Sequence, residues 1–553
     1  MVRGSRIVYY FIRMDKHSTA AADGYLSIVL HAHLPYVRYP EHERHLEERW
    51  LYEAVTETYL PLLEVFGGLL DDNVDFAVTL SLSPTLIEML RDRILMDRYG
   101  SHLDGLIELS EKEVVRVRRD RDFAPLARMY LKRFVRIRRL YEDVFRKDLV
   151  GGFRRLAETG RVRIITCAAT HAYLPALMAV PEAAAAQVRI GCDHYRKIFG
   201  HEPEGIWLPE CGFVPALDGL LRRNGLGYFF LDSHGLLNAV PRRHAAGIYA
   251  PIRTPSGVAA FARDADSSRQ VWSSAEGYPG DFDYRDFYRD IGFDLDAGYV
   301  GPYLPAGVRT FTGLKYFRIT GKSDRKSPYV PEKAIAKARL HAEHFVSAKN
   351  AQIRLLRETL KIPPVVTAAF DAELFGHWWF EGPEWLDYLL RRGSLRKNSF
   401  RFTSAGEYIL THPQIETAMP AASSWGDKGY SSTWIHASNQ WIYRHLHKAA
   451  KLHLECCRRH PRAEGVLRRA LNQASRELLL AQASDWAFMM KTGNASDFAK
   501  NEFSAHIGNF FLLHEEISGG RIDRAQLMQL EKKNNLFKEM DYRTFCRAGA
   551  TLS

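Results

Sequence analysis

The chain has 553 residues, with 76 Lys+Arg against 65 Asp+Glu and a net charge of +11. Hydrophobic residues make up 46% and charged residues 25%, which excludes a disordered or low-complexity chain. The length suits about three or four ordinary domains, or one large (β/α) barrel with satellites.

Six cysteines are too few for a disulfide scaffold, and the adjacent Cys456 and Cys457 are unsuited to closing a loop. This usage predicts a reducing compartment, the cytoplasm. No apolar run approaches the ~18 residues that a membrane span needs. The stretch Ile7 to Ile12 runs into Arg13 with no small-residue cleavage site, so it does not read as a signal peptide. Residues 1–23 read as an N-terminal extension. The basic residues spread over helical faces such as Arg116 to Arg139. No zinc-finger or RNA-binding signature accompanies them, so neither nucleic acid nor membrane is expected as a partner.

In chain order, short apolar runs end in polar residues. Tyr25–Leu30 ends at His31, Phe76–Leu80 at Ser81, and Val162–Cys167 leads to Thr170 and His171. Gly205–Leu208 leads to Glu210, Tyr228–Leu231 ends at Asp232, Val258–Ala262 at Arg263, and Val365–Phe370 at Asp371. Such runs, separated by helix-like stretches, predict buried parallel strands. Polar groups gathered at their C-terminal ends are the arrangement of barrel enzymes. Between these strands, residues 88–158 carry a helical period with Leu103, Ile107, Val114, Leu126, Tyr130 and Leu140 as buried positions. After about Pro413 the strand runs stop, and Trp441–Ala481 and Leu512–Met540 read as helices. The expected fold is α/β: an incomplete (β/α)7-type barrel over 24–415 with a helical insertion. A C-terminal helical domain over 416–540 and a tail over 541–553 follow it.

Glu210 follows a buried run, behind Pro209 and between Trp207 and Phe213. A carboxylate walled by aromatics at a strand end is partly desolvated, as carboxylates with a chemical task often are. The alternative is a surface glutamate in a turn. Asp371 opens a denser segment, Asp371-Ala-Glu-Leu-Phe-Gly-His-Trp-Trp-Phe380. Trp378 and Trp379 either stack on the flat C–H faces of sugar rings or belong to the core. Paired carboxylates on strand ends with aromatic walls suit glycoside chemistry, one attacking the anomeric carbon and one protonating the leaving oxygen. His31 and His33 form an H-x-H pair that could ligate zinc with Asp371, or hydrogen-bond sugar hydroxyls. We favour hydroxyl contact over metal.

His31-Ala-His-Leu-Pro-Tyr36, Trp207-Leu-Pro-Glu-Cys-Gly212, Asp371-Ala-Glu-Leu-Phe-Gly-His-Trp-Trp379 and Ala483-Ser-Asp-Trp486 together resemble successive signature regions of glycoside hydrolase family 57. The resemblance runs from about Gly24 to Leu513. Within the family, Gly247-Ile-Tyr-Ala-Pro-Ile252, Phe261-Ala-Arg-Asp264, Gln270-Val-Trp-Ser273 and Gly277-Tyr-Pro-Gly-Asp281 are most similar to the 1,4-α-glucan branching enzymes. The resemblance implies a retaining transglycosylase acting on α-glucan, with Glu210 as nucleophile, Asp371 as general acid/base, and no metal or organic cofactor. It places Arg263, Gly280, Trp425 and Asp485 on glucan, with His31, His33 and His171 around the reacting sugar and Trp272 as an aromatic platform. Asn494 stands where the family's glutamine is expected and is a shorter amide.

One departure stands out. Arg263 follows Glu210 by only 53 positions, whereas branching members carry a long loop there whose tyrosine covers the site. The short segment predicts more hydrolysis per transfer, unless Tyr249, Tyr303 or Tyr316 provides the cover. An α-amylase or 4-α-glucanotransferase of the same family is the alternative activity. A metal-dependent polysaccharide deacetylase and a non-catalytic glucan-binding protein are more distant ones.

Overall fold

The computed structural model describes residues 22–242, 246–273, 276–305 and 307–550. Nearly all of the expected N-terminal extension therefore lies outside the described residues. The strands are β1 (Gly24–Ala32), β2 (Val78–Leu82), β3 (Val162–Cys167), β4 (Gly205–Trp207), β5 (Tyr228–Leu231), β6 (Ile252–Arg253), β7 (Ala259–Ala262), β8 (Val365–Asp371) and β9 (Phe400–Phe402). They form one sheet in the order β6-β7-β5-β4-β3-β2-β1-β8, with β9 added beside β1. Every pairing is parallel except β6 with β7. The seven expected strands are there, within two residues at each end; the short β6 and β9 were not anticipated because two or three residues leave no period to read.

The sheet curls into an incomplete barrel. Among the described residues no strand ladder joins β7 to β8; one hydrogen bond, from Asp264 N–H to the Thr367 carbonyl (2.7 Å), bridges the seam. Strand alternation sorts the side chains. On β1, Leu26, Ile28 and Leu30 pack outward against helices, whereas Val29 joins Ile165, Cys167, Trp207, Phe230, Phe261 and Ala369 in the barrel interior. Carried to the strand ends, the same parity turns His31, Ser81, Asp232, Arg263 and Asp371 inward.

Between β2 and β3 lie the helices Arg93–Arg116, Phe123–Arg139 and Leu149–Glu158. Leu103, Leu126 and Tyr130 are buried there, while Ile107, Val114 and Leu140 are half-buried at the core's edge. Beyond the barrel run six helices: Trp441–Arg459, Gly465–Ala481, Ser484–Thr492, Ser496–Gly519, Arg524–Lys533 and Arg543–Ala550. The last of these corrects the reading of residues from 541 as a tail. Tyr542 and Phe545 are buried, and apolar burial of that kind holds a terminal helix in place. No described helix is long and apolar enough to cross a membrane.

Candidate active site

His31 on β1 pairs in register with Ser81 on β2 and with Asp371 on β8, so three polar side chains share one level at the barrel mouth. Glu210 enters from the turn after β4. Its backbone is left-handed (φ +62°), as are those of Cys211 (+50°) and His171 (+56°). Such conformations cost non-glycine residues ~1–3 kcal/mol each and persist where the surroundings over-determine them.

Here the surroundings are specific. Trp425 Nε1–H donates to Glu210 Oε2 (2.8 Å), Ser484 O–H donates to Oε1 (2.8 Å), and the Trp425 backbone N–H donates to the Glu210 carbonyl (3.0 Å). Ser484 opens the helix Ser484–Thr492 and its Oγ lies 2.9 Å from His171 Nδ1. His171 Nε2 lies 2.9 Å from His31 Nε2, and His31 Nδ1 lies 3.1 Å from Ser81 Oγ. Because Ser484 spends its proton on Glu210, the network assigns the tautomers. His171 Nδ1–H donates to Ser484, His31 Nε2–H donates to His171 Nε2, and Ser81 O–H donates to His31 Nδ1. Burial, reinforced by nearby histidine charge, pushes both His31 and His171 well below the ordinary histidine range, consistent with two neutral rings.

His33 differs. Burial opposes its cation, but the Asp485 carboxylate (both oxygens 3.2 Å from Nε2), with Glu373 and Glu210 behind it, raises its pKa. Its Nδ1 contacts Ser83 Oγ (2.8 Å), the same oxygen that caps the helix Pro84–Leu90. Trp207, His31, His171 and His33 form a stack, with His33 and His171 centroids 3.7 Å apart and planes at 13°. Among the described residues, His33, His171 and Asp485 form the one group whose ligand atoms lie within 4.8 Å of one another. Lone pairs of imidazole nitrogens lie in the ring plane, so two parallel stacked rings cannot converge on one tetrahedral ion.

Burial pushes Glu210 up to about 7, against the Trp425 and Ser484 hydrogen bonds. Burial likewise pushes Asp371 up to about 6, opposed by Arg263, His33 and a hydrogen bond from Trp272. Arg263 is itself aimed: its Nε–H donates to Asp232 Oδ2 (2.7 Å) and its guanidinium lies 5.5 Å from the Trp425 ring. Asp264 caps the helix Ala265–Trp272, which carries Trp272, 63% exposed, to Asp371.

The structure thus brings together Glu210, Asp371, His31, His33, His171, Arg263, Trp272, Trp425 and Asp485. Among the described residues no hydrogen bond joins Gly280 or Asn494 to them. Gly280 closes a 3-10 turn, its N–H donating to the Gly277 carbonyl (3.4 Å). Asn494 is exposed in the turn after Gly493, the left-handed cap that ends the helix carrying Asp485. Trp378 and Trp379 part company, being 54% and 2% exposed. Trp379→Ala should therefore cost ~3–5 kcal/mol of stability, whereas Trp378→Ala should stay within about 0.5 kcal/mol; melting curves of the two variants check this.

Sequence reasoning missed Ser484 and Glu373. Glu373 accepts from Tyr59 O–H (2.5 Å) and the His33 backbone N–H (3.1 Å), and burial raises it to about 7. Both residues sit inside the quoted motifs, so their presence there was the available signal.

Comparison with known proteins places this geometry. The glycosyl hydrolase family 57 profile matches residues 27–420, and that of the 1,4-alpha-glucan branching enzyme C-terminal region matches 445–545. A 1,4-alpha-glucan branching enzyme of Thermococcus kodakarensis is 33% identical over 93% of this chain and 77% of its own length. The crystal structure of an alpha-amylase from Thermotoga maritima superposes with a TM-score of 0.89 at 42% identity, covering 95% of this chain and 99% of that one. The branching enzyme of Pyrococcus horikoshii gives 0.84 at 30% identity, over 95% and 97%. On these matches the chain belongs to glycosyl hydrolase family 57.

Proposed function

We propose that the protein is a retaining 1,4-α-glucan branching enzyme acting in the cytoplasm on glycogen-like glucan. The observation that carries the reading is two largely enclosed carboxyls at one barrel mouth: Glu210, held through Ser484, His171 and His31, and Asp371, in strand register with that same His31. It is supported by the branching-enzyme match over 445–545. The six cysteines, all unpaired, suit a reducing compartment.

In this reading a Glu210 oxygen attacks the anomeric carbon while Asp371 passes its proton to the departing glycosidic oxygen. The α-1,4 bond breaks and a glycosyl-enzyme ester forms. Asp371 then takes the proton of a glucan 6-hydroxyl, whose oxygen displaces Glu210 and makes the α-1,6 branch. Trp425 and Ser484 hold the nucleophile by both oxygens. His33 and Asp485 are placed to hydrogen-bond sugar hydroxyls, and Arg263 and Trp272 to orient Asp371.

Hydrolysis is the second reading, favoured by the 42% identity to an enzyme described as an alpha-amylase and by the short 210–263 segment. None of the three tyrosines considered as cover sits over the carboxyls. Tyr249 lies at the base of β8, its carbonyl accepting from Val365 N–H. Tyr303 meets Glu108 and Tyr316 meets Glu113 on the helical insertion. Water exclusion decides between transfer and hydrolysis. Proton NMR of the products from amylose, counting α-1,6 linkages against new reducing ends, tests the reading. Branches should form, with more reducing ends per branch than a long-loop enzyme gives in parallel; reducing ends without branches would make it an amylase.

A further inference from the structure

We propose that the aromatic rim formed by exposed Trp378, Tyr288 and Phe293 around half-buried Phe287 is a second glucan-binding platform, holding a stretch of α-1,4-glucan outside the cleft of the two carboxyls. This rests on the glucan reading and adds where a long chain is gripped.

Trp378 follows Asp371 by seven residues, at most about 25 Å of chain. Its N–H donates to the Glu373 carbonyl (3.2 Å), and Glu373 touches His33 in the cluster. The Trp378 ring stacks on Phe287 at 4.6 Å and 27°. Tyr288, 76% exposed, stands edge-on to Phe287 at 5.2 Å. Phe311 bridges Phe287 (5.5 Å) to Phe293 (5.2 Å), itself 46% exposed. The rings form one connected strip.

The strip is built from beneath. Lys315, 2% exposed, lies 4.0 Å from the Phe287 centroid and 4.4 Å from that of Phe311, and donates to the Phe287 carbonyl (2.6 Å). The turn carrying Trp378 is pinned as well. Gly376 (φ +114°) passes so near the Glu57 carbonyl that a Cβ would lie 1.8 Å from it, and His377 Nδ1 meets Glu57 Oε2 at 2.6 Å. Glu57 lies 3.6 Å from Arg285, tying this turn to the segment that bears Phe287 and Tyr288. Fixed aromatic faces lose little entropy on binding.

Charge selects the occupant. Arg289 pairs with Asp294 (2.8 Å), Lys326 pairs with Asp286 (2.8 Å), and Arg309 is spent on the carbonyls of Gly292, Phe293 and Leu295. A rim of apolar rings with internally paired charges suits a neutral chain with flat C–H faces better than nucleic acid or an acidic peptide.

The test is binding, in a Glu210→Gln background that removes turnover. Calorimetry with long amylose should show Tyr288→Ala weakening affinity several-fold, and Tyr288→Ala/Trp378→Ala about tenfold. Maltotriose, too short to reach both sites, should move less than about twofold, and melting temperatures should hold. Amylose affinity unchanged in the double variant overturns the proposal. So does a double variant whose amylose affinity holds while its sedimentation shows lost self-association, which marks a protein interface. Should the parent bind neither amylose nor maltotriose, the glucan reading itself fails, a result distinct from loss of the platform alone.

Discussion

Glu210→Gln and Asp371→Asn should each lower turnover on amylose by about a thousandfold or more and leave the fold intact. Each substitution keeps the side chain's size, and Glu210 accepts its two hydrogen bonds at a site only 12% exposed, so the shell has no room to rearrange. Glu210→Gln should also differ from the parent in its dependence on pH. Burial raises Glu210 from an ordinary 4.5 to about 7; the folded state binds that proton more tightly than the unfolded chain does. The native protein therefore loses stability as pH rises from 4.5 through about 7, by an amount on the order of 3 kcal/mol. Glu210→Gln has no such charge to bury. Its melting temperature relative to the parent should climb between pH 5 and 8, and a flat difference would show that Glu210 ionises freely.

Lys349→Met should cost about 3–5 kcal/mol, because it strands a buried carboxylate. Lys349 and Asp264 side chains are each 2% exposed and their ion pair measures 3.1 Å. Burial opposes the Asp264 anion, but Lys349 and Ser267 outweigh it and hold the pKa below the usual range. That contribution is present above the unfolded carboxylate range and fades as pH falls through the folded value. Without Lys349 the sign reverses, and stability should fall as pH rises. Asp264→Asn/Lys349→Met should regain most of the loss, as urea titration of the three variants would show. Asp264 also bridges the barrel seam and follows Arg263, so Lys349→Met should lower turnover before it unfolds the chain.

The sequence made the barrel legible because each buried strand is a continuous apolar run ending in one polar residue. His31, Asp232, Arg263 and Asp371 were readable as strand-end groups by that rule alone. Glu210 was legible from its aromatic neighbours. Ser484 and Trp425 could not be joined to it by any local period: they lie 274 and 215 positions away. The split between Trp378 and Trp379 was likewise hidden, since adjacent residues leave a turn in directions set by backbone the sequence does not print. The family resemblance supplied Asp485, and it grouped His171, already legible after β3, with His31 and His33.

The consecutive left-handed residues Glu210 and Cys211 bear on how this protein can be engineered. Glycine adopts such a backbone at no steric cost, so Cys211→Gly relieves strain at a position in the barrel interior where, among the described residues, the thiol makes no hydrogen bond. A laboratory selection for heat resistance alone would reward that change. The released torsion would let the neighbouring carboxylate wander from Trp425 and Ser484, and residual activity after heating would decline while the unfolding midpoint rose. Libraries built on this scaffold should hold position 211 fixed and seek stability in the exposed helices between β2 and β3, where backbone freedom and chemistry are not tied to the same residue.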